Sequence, residues 1–173
     1  MENIKVLISE EKLNSRIKEV AKEIENDYKG EEIVLICILK GASYFAIDLS
    51  KHIDSYDVIL DFMKVHSYGK TNKETTGKVN IDLVPSEDIK GKNVIIIEDI
   101  LDSGVTLNCL YDYIKDMNPK TLKICVLLDK KGRRIKNIEA DYVGFEIDNK
   151  FIVGYGMDYD EKCRNLPFIG YVE

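Results

Sequence analysis

The sequence predicts one α/β domain built around a doubly wound, mostly parallel sheet. Three short runs are apolar without alternation, apart from one lysine: residues 33–39 (IVLICIL), 94–97 (VIII) and 123–128 (KICVLL). Strands of this kind are covered on both faces, as in a parallel sheet between helices. A helical pattern separates the last two runs, which gives a strand–helix–strand crossover of right-handed sense. The length of 173 residues suits one domain, and 45% hydrophobic residues can fill its core.

The first predicted element is an amphipathic helix over residues about 10–28. Its apolar face consists of Leu13, Ile17, Val20, Ala21 and Ile24. This spacing is typical of a helix with one side buried. Ser9 is the candidate N-cap, acidic residues fill the first turn, and Gly30 marks the end.

The remaining elements follow from similar patterns. Residues 57–65 (DVILDFMKV) predict a strand, and 78–84 (KVNIDLV) alternate as a strand half exposed to water. The polar link 66–78 between them is expected to be either a disordered loop or a mobile functional lid. The helix after 94–97 ends at Asn118-Pro119. Its apolar face consists of Leu107, Leu110, Ile114 and Met117.

Composition excludes several classes of protein. The net charge is −6, and no basic cluster is longer than residues 130–134, which argues against a nucleic-acid partner. The longest apolar run, 33–39, is too short to span a bilayer, so no membrane partner is expected. The cysteines are Cys37, Cys109, Cys125 and Cys163. They lack CxxC spacing and predict free thiols in a reducing cytoplasm.

The stretch 94–107, VIIIEDILDSGVTL, joins a buried strand to a helix through acidic and small residues. Backbone N–H groups of residues 103–106 at a helix N-terminus can hold a phosphate. Glu98 and Asp99 fall at the strand end, where doubly wound folds bind ligands. Taken alone, the two acids could instead cap the helix and contact water. Asp102 and the hydroxyls beside it favour a site, in which the acids face sugar hydroxyls or Mg²⁺.

Two common phosphate loops are excluded. The pattern GxxxxGK[ST] is absent, and Gly154-Tyr155-Gly156 has no third glycine at GxGxxG spacing. A signalling receiver domain remains an alternative, since it also combines an acid pair, a hydroxyl residue and a later lysine, here Lys130. Chain order counts against a receiver, because receivers carry the acid pair at the first strand.

The stretch 94–107 resembles the phosphoribosyl-diphosphate (PRPP) signature of type I phosphoribosyltransferases, and its flanks look like the hypoxanthine-guanine members of that family. The flanks follow the family's order over nearly the whole chain. They are 39–45 (LKGASYF), 66–69 (HSYG), 127–134 (LLDKKGRR), 142–159 (YVGFEIDNKFIVGYGMDY) and 163–172 (CRNLPFIGYV). The resemblance implies the type I phosphoribosyltransferase fold, with a core at about 10–150. It also implies a small hood formed by the N- and C-terminal segments and a mobile antiparallel loop arm at about 66–78.

The resemblance also implies a role for each site residue. The residues implied to bind the ribose and 5′-phosphate of PRPP are Glu98, Asp99, Asp102, Ser103, Gly104, Val105 and Thr106. Those implied to bind pyrophosphate are Lys40, Gly41, Ser67, Tyr68 and Arg164. Those implied to bind the purine are Lys130, Phe151, Ile152 and Asp158. The implied Mg²⁺ ligands are Glu98, Asp99 and Asp158.

Three of these residues have a chemical task in the family. Asp102 would be catalytic by exchanging the proton at purine N7, Lys130 would donate to the 6-oxo group, and Phe151 would stack on the base. Without the resemblance, Phe151 would be interpreted as a core strand residue and Arg164 as solvated surface. Val105 departs from the family, since some relatives carry lysine there, and Ile152 replaces the commoner valine.

The resemblance implies a purine-salvage transferase that uses PRPP, Mg²⁺ and hypoxanthine or guanine. It would act in the cytoplasm as a homodimer or homotetramer. A PRPP-binding regulator of the same fold that binds RNA is a further alternative, and the acidic balance counts against it.

Overall fold

The computed structural model describes residues 4–55, 57–67 and 79–172. The helices and strands in chain order are β1 (Ile4–Ile8), α1 (Glu10–Tyr28), β2 (Ile33–Leu39), α2 (Ser43–His52), β3 (Val58–Ser67), β4 (Val79–Leu83), β5 (Asn93–Leu101), α3 (Val105–Lys115), β6 (Thr121–Asp129), β7 (Tyr142–Glu146), β8 (Phe151–Val153) and β9 (Ile169–Val172). A short 3₁₀ turn, Lys131–Arg133, follows β6.

The main sheet has the strand order β4-β3-β2-β5-β6-β7. Strands β3, β2, β5, β6 and β7 are parallel, and β4 pairs antiparallel with β3 at the edge. The order reverses between β2 and β5, and doubly wound folds bind ligands at such a reversal. The predicted doubly wound, mostly parallel sheet is confirmed.

Both faces of the main sheet are buried. In β2 the side chains of Ile33, Leu35 and Cys37 join one apolar cluster, while Val34 and Ile36 join another on the opposite face. Helices α1 and α2 cover the first face, and α3 covers the second. This two-sided burial explains why the strands are apolar without alternation.

A small antiparallel sheet, β1-β9-β8, joins the two ends of the chain. Its strand β8 carries Ile152, which is buried in the cluster beneath α1 and α2, and Val153, which is also buried. The small sheet therefore shares its core with the main sheet.

The predicted helices are present, with one difference in length. Ser9 caps α1 and accepts a hydrogen bond from Lys12 N at 3.4 Å. Helix α3 ends at Lys115, before Met117, and Asn118 then takes a positive φ of 58°. None of the helices in the described ranges has the length and apolar character needed to cross a bilayer.

Candidate active site

The candidate site residues follow the carboxyl ends of neighbouring parallel strands. Lys40 and Gly41 come directly after β2, Glu98 and Asp99 lie near the carboxyl end of β5, and Lys130 follows β6. Since these strands are adjacent and parallel, their carboxyl ends share one edge of the sheet. Ser67 ends β3 at the same edge, whereas Tyr68 and most of the predicted mobile arm lie outside the described residues.

The loop between β5 and α3 is shaped to present backbone N–H groups. Gly104 has a φ of 77°, a conformation that costs glycine nothing, and α3 begins at the next residue. Gly104 has no side chain that could cap the helix, and the N–H of Val105 donates only a long hydrogen bond, 3.4 Å, to Ser103 Oγ. The first N–H groups of α3 therefore face the loop with little competition from side chains. This geometry suits a phosphate.

Arg134, in the connection between β6 and β7, stabilises this loop through hydrogen bonds. Its Nε donates to the carbonyl of Asp102 at 3.2 Å, and its other nitrogens donate to the carbonyl of Ile138 and to the carboxylate of buried Asp129. The backbone N–H of Ile135 donates to the carbonyl of Ser103 at 2.9 Å. Arg134 and Asp129 were not predicted from the sequence, because the cluster 130–134 gave no sign that one of its arginines is largely buried.

Glu98 and Asp99 form a pair of crowded carboxylates. The N–H of Asp99 donates to Glu98 Oε1 at 3.0 Å, and the N–H of Ile100 donates to Asp99 Oδ1 at 2.6 Å. Burial raises the pKa of both groups, and the charge of Asp99 raises the pKa of Glu98 further. Each acid thus lies in a position that favours a compensating cation or hydroxyl donor.

Gly41 allows Asp99 to approach the loop after β2. A Cβ atom at residue 41 would lie 1.6 Å from Asp99 Oδ2, so any side chain there would force Asp99 to move. The peptide bond between Leu39 and Lys40 is cis. The carboxyl end of β5 and the loop after β2 are therefore in direct contact.

The two carboxylate oxygens of Asp102 have different surroundings. Its Oδ1 is buried and has no hydrogen-bond partner among the described residues, and its Oδ2 lies 3.4 Å from Arg133 Nη1. A buried acceptor without a partner is costly. Such an oxygen is well suited to a ligand's N–H group.

A cavity of about 410 Å³ lies between Asp102 and the small sheet. It is lined by Asp99, Ile100, Asp102, Lys130, Arg133, Asn149, Lys150, Phe151, Ile152, Met157 and Asp158. All four predicted purine-binding residues line it, and the volume falls in the range usual for small-molecule sites.

Lys130 and Phe151 present different surfaces to this cavity. Lys130 is buried and donates from Nζ to the carbonyl of Lys150 at 2.8 Å, and burial lowers its pKa. The Phe151 ring is 54% exposed and meets Tyr159 edge-on, with ring centroids 5.5 Å apart. Phe151 is thus not the core strand residue that the local sequence pattern indicates without the resemblance.

Arg164 lies among carboxylates near the loop after β2. Its Nη2 is 2.8 Å from Asp158 Oδ1 and 3.4 Å from Glu161 Oε1, and its Nη1 donates to the carbonyl of Gly156 at 2.7 Å. Glu161 also accepts from Lys40 Nζ at 2.6 Å. Arg164 is therefore not solvated surface, and Glu161 is a neighbour that the sequence did not indicate.

The carboxylates fit a magnesium ion only in company with a substrate. Within the described ranges, no three acidic, histidine or cysteine side chains converge as a complete metal site. Mg²⁺ in phosphate-using enzymes is usually held by one or two carboxylates together with water and substrate oxygens. The crowded pair Glu98 and Asp99 meets that requirement, and Asp158 is a further carboxylate, 2.8 Å from Arg164 Nη2.

Acids and a helix N-terminus lie at one sheet edge beside this cavity, which is the arrangement of an α/β domain that binds a phosphorylated ligand. Residues 8–160 match the family model described as the phosphoribosyl transferase domain. A hypoxanthine-guanine phosphoribosyltransferase from Aquifex aeolicus is 47% identical over 98% of this chain and 95% of its own. One from Bacillus subtilis is 44% identical over 98% of this chain and 93% of its own.

A solved structure agrees with these relatives. The crystal structure of a hypoxanthine-guanine phosphoribosyltransferase from Bacillus anthracis has a TM-score of 0.94 and 53% identity, and the match covers 99% of this chain and 100% of that one. The chain belongs to the hypoxanthine-guanine phosphoribosyltransferase family.

Proposed function

We propose that this protein transfers the 5-phosphoribosyl group of PRPP to N9 of hypoxanthine or guanine, giving the nucleotide and pyrophosphate in purine salvage. One observation carries the proposal: the phosphate loop, the acid pair and the cavity of Lys130 and Phe151 lie at one edge of the sheet. A nucleotide has a phosphate, a ribose and a base in the order of the phosphate loop, the acid pair and the cavity. Family membership leaves the receiver domain and the RNA-binding regulator without support.

Residues 103–106 would hold the 5′-phosphate with the N–H groups of the first turn of α3. Glu98 and Asp99 would accept hydrogen bonds from the ribose hydroxyls. Carboxylates suit hydroxyl donors because charge-assisted hydrogen bonds are about twice as strong as neutral ones. The ribose would thereby be fixed in line with both the base and the departing pyrophosphate.

Asp102 would exchange the proton at purine N7 as the glycosidic bond forms. Its buried Oδ1 supports this role, because a ligand N–H would supply the partner that the described residues do not. Lys130 would donate to the 6-oxo group and Phe151 would stack on the ring. The Ile152 backbone and Asp158 would lie along the remaining edge of the base.

Lys40, Gly41 and Arg164 would bind the pyrophosphate, and Ser67 and Tyr68 would help to close the site. Arginine suits this position because its planar group contacts phosphate oxygens in pairs. Mg²⁺, when bound by Glu98, Asp99 or Asp158 with substrate oxygens, would neutralise charge on the pyrophosphate. The neutralised pyrophosphate is a better leaving group.

We also propose that the protein acts in the cytoplasm as a homodimer or homotetramer. The described residues include all four cysteines and no disulfide joins any of them, which supports a reducing compartment. The exposed apolar residues Tyr44 and Ile47 on α2 support association of copies. Light scattering after size-exclusion chromatography measures the mass, and a monomer of 19.8 kDa would contradict the assembly.

The activity is tested by incubating the protein with PRPP, Mg²⁺ and hypoxanthine, guanine or xanthine. We expect nucleotide and pyrophosphate in equal amounts from hypoxanthine and guanine, and none after chelation of Mg²⁺. No nucleotide from any of the purines would overturn the proposal.

A further inference from the structure

The carboxylate of Glu161 bridges the two cations that the proposed function gives to pyrophosphate. Its Oε2 lies 2.6 Å from Lys40 Nζ and its Oε1 lies 3.4 Å from Arg164 Nη2. A carboxylate with one oxygen on each of two cations imitates the spacing of neighbouring phosphate oxygens.

Glu161 occupies a backbone position that favours glycine. Tyr159 and Lys162 exchange both backbone hydrogen bonds at 3.0 Å, which leaves Asp160 and Glu161 as a two-residue turn. Both turn residues have positive φ, 52° and 62°, as in a type I′ turn. Asn-Gly is the favoured pair in such a turn. The glutamate is therefore held against local backbone preference, as is common for residues at functional sites.

We infer that Glu161 competes with the pyrophosphate group of PRPP for Lys40 and Arg164 and so sets the affinity of the pyrophosphate site. This inference rests on the proposed function and adds a residue that tunes it. Arg164 keeps a second carboxylate partner, Asp158, at 2.8 Å when Glu161 is displaced. Lys40 is thus the cation on which the competition acts most strongly.

Competition by Glu161 lowers the affinity of the site for PRPP and for pyrophosphate together. Pyrophosphate must displace Glu161 on entry, and Glu161 returns to Lys40 when pyrophosphate leaves. Both side chains are more than half exposed, with 55% of Lys40 and 66% of Glu161 accessible, so the bridge is weak and easily exchanged. A weak bridge lets the site bind and then release an anion without a large change in structure.

Glu161→Gln is the direct test, because it removes the charge and keeps the side-chain shape. We expect the KM for PRPP and the Kd for magnesium pyrophosphate to fall together by roughly two- to fivefold, the range for an exposed ion pair. Calorimetric titration with pyrophosphate measures the Kd without turnover. Glu161→Gly should change both constants in the same direction while removing the unfavourable turn residue.

Glu31→Gln is the matched control at the opposite end of the sheet. Glu31 pairs with Lys120 at 2.5 Å, and their exposures of 53% and 55% resemble those of the Glu161 pair. Glu31→Gln should leave the KM for PRPP and the Kd for magnesium pyrophosphate unchanged. In a Lys40→Ala background, Glu161→Gln should have less than half of its effect on the Kd, because the competition acts through Lys40.

The outcomes separate this inference from the proposed function. Unchanged or weaker pyrophosphate binding by both Glu161 variants, in a protein that forms nucleotide, would overturn the inference and leave the function standing. A parent protein that neither forms nucleotide nor binds pyrophosphate would overturn both.

Discussion

Asp102 lies at the turn between β5 and α3, with Oδ1 buried and Oδ2 close to Arg133. Asp102→Asn keeps the size of the side chain and removes its ability to take up a proton. We expect the turnover number to fall by more than about tenfold, because general acid–base catalysis contributes at least that much. The affinity for PRPP should stay within about twofold, since the phosphate is held by backbone N–H groups.

Initial rates and calorimetric titration with PRPP measure the two effects of Asp102→Asn separately. Asp116→Asn, at the exposed C-terminus of α3, is the control and should change neither. Equal turnover of Asp102→Asn and the parent would remove Asp102 from the reaction.

Phe151 provides a second test at the level of one residue. Because its ring is exposed, Phe151→Leu should change the free energy of unfolding by less than about 0.5 kcal/mol. Loss of aromatic stacking should raise the KM for hypoxanthine by roughly two- to tenfold, from about 0.5–1.5 kcal/mol per stacked pair. Steady-state kinetics and urea unfolding measure both. A destabilised variant with an unchanged KM would show that Phe151 serves packing instead.

The positions of single site residues could be predicted only in part. The acids at 98, 99 and 102 stand in one continuous stretch, so their spacing alone indicated a phosphosugar and metal site, and the resemblance added the purine. Arg134 and Glu161 act through contacts with residues far away in the sequence. The cluster 130–134 illustrates the limit, because Lys130 is buried while its neighbour Lys131 is exposed.

At the scale of elements, α1 was predictable and α2 was not. Six residues at helical spacing are buried in α1, and its cap is a serine. Helix α2 buries only Phe45, Ala46 and Leu49, while the apolar Tyr44 and Ile47 on its other side are exposed. A helix with apolar residues on two sides gives no clear period.

Asp61 connects β3 to the segment that leads back to β5. Its carboxylate accepts from Glu87 N at 2.9 Å, from Phe62 N at 2.7 Å and from Ser86 Oγ at 3.2 Å. Burial by itself raises the pKa of Asp61, but these hydrogen bonds together outweigh burial and lower it. The lowered pKa means that Asp61 stabilises the fold above its unfolded pKa and loses this effect as pH falls through the folded value.

Asp61→Asn should therefore lower the free energy of unfolding at pH 7 by about 1.5–3 kcal/mol, the range for hydrogen bonds to a charged group. The difference from the parent should shrink as pH falls below about 4, where the unfolded chain takes up the proton first. Urea unfolding at several pH values measures it. Asp57→Asn, an exposed position just before β3, is the control, and a pH-independent deficit of Asp61→Asn would contradict the assignment.

At the scale of the whole molecule, the small sheet could not be derived from local patterns. Strand β9 pairs with β1 from the other end of the chain, with Ile4 opposite Val172. Neither strand is long enough to give a period of its own, and their pairing depends on the packing of the whole domain. Only the resemblance indicated that the two ends of the chain come together.

The candidate site spans both sheets, since the phosphate loop extends from β5 of the main sheet and Phe151 belongs to β8 of the small one. A nucleotide should therefore connect the two sheets. IMP at a free concentration one hundred times its Kd should raise the free energy of unfolding by about 2.7 kcal/mol. This corresponds to a rise in Tm of roughly 5–10 °C for a chain of this size.

Hydrogen exchange can show whether the nucleotide bridges the sheets. Ribose 5-phosphate lacks the base and should slow exchange of the backbone amides at 103–106 alone. IMP should slow exchange there and also in β8, because the base contacts the strand that carries Phe151. Phe151→Leu is the matched control, in which IMP should protect β8 less while protecting 103–106 as in the parent. Equal protection of β8 by ribose 5-phosphate and IMP would mean that the base makes no contact with the small sheet.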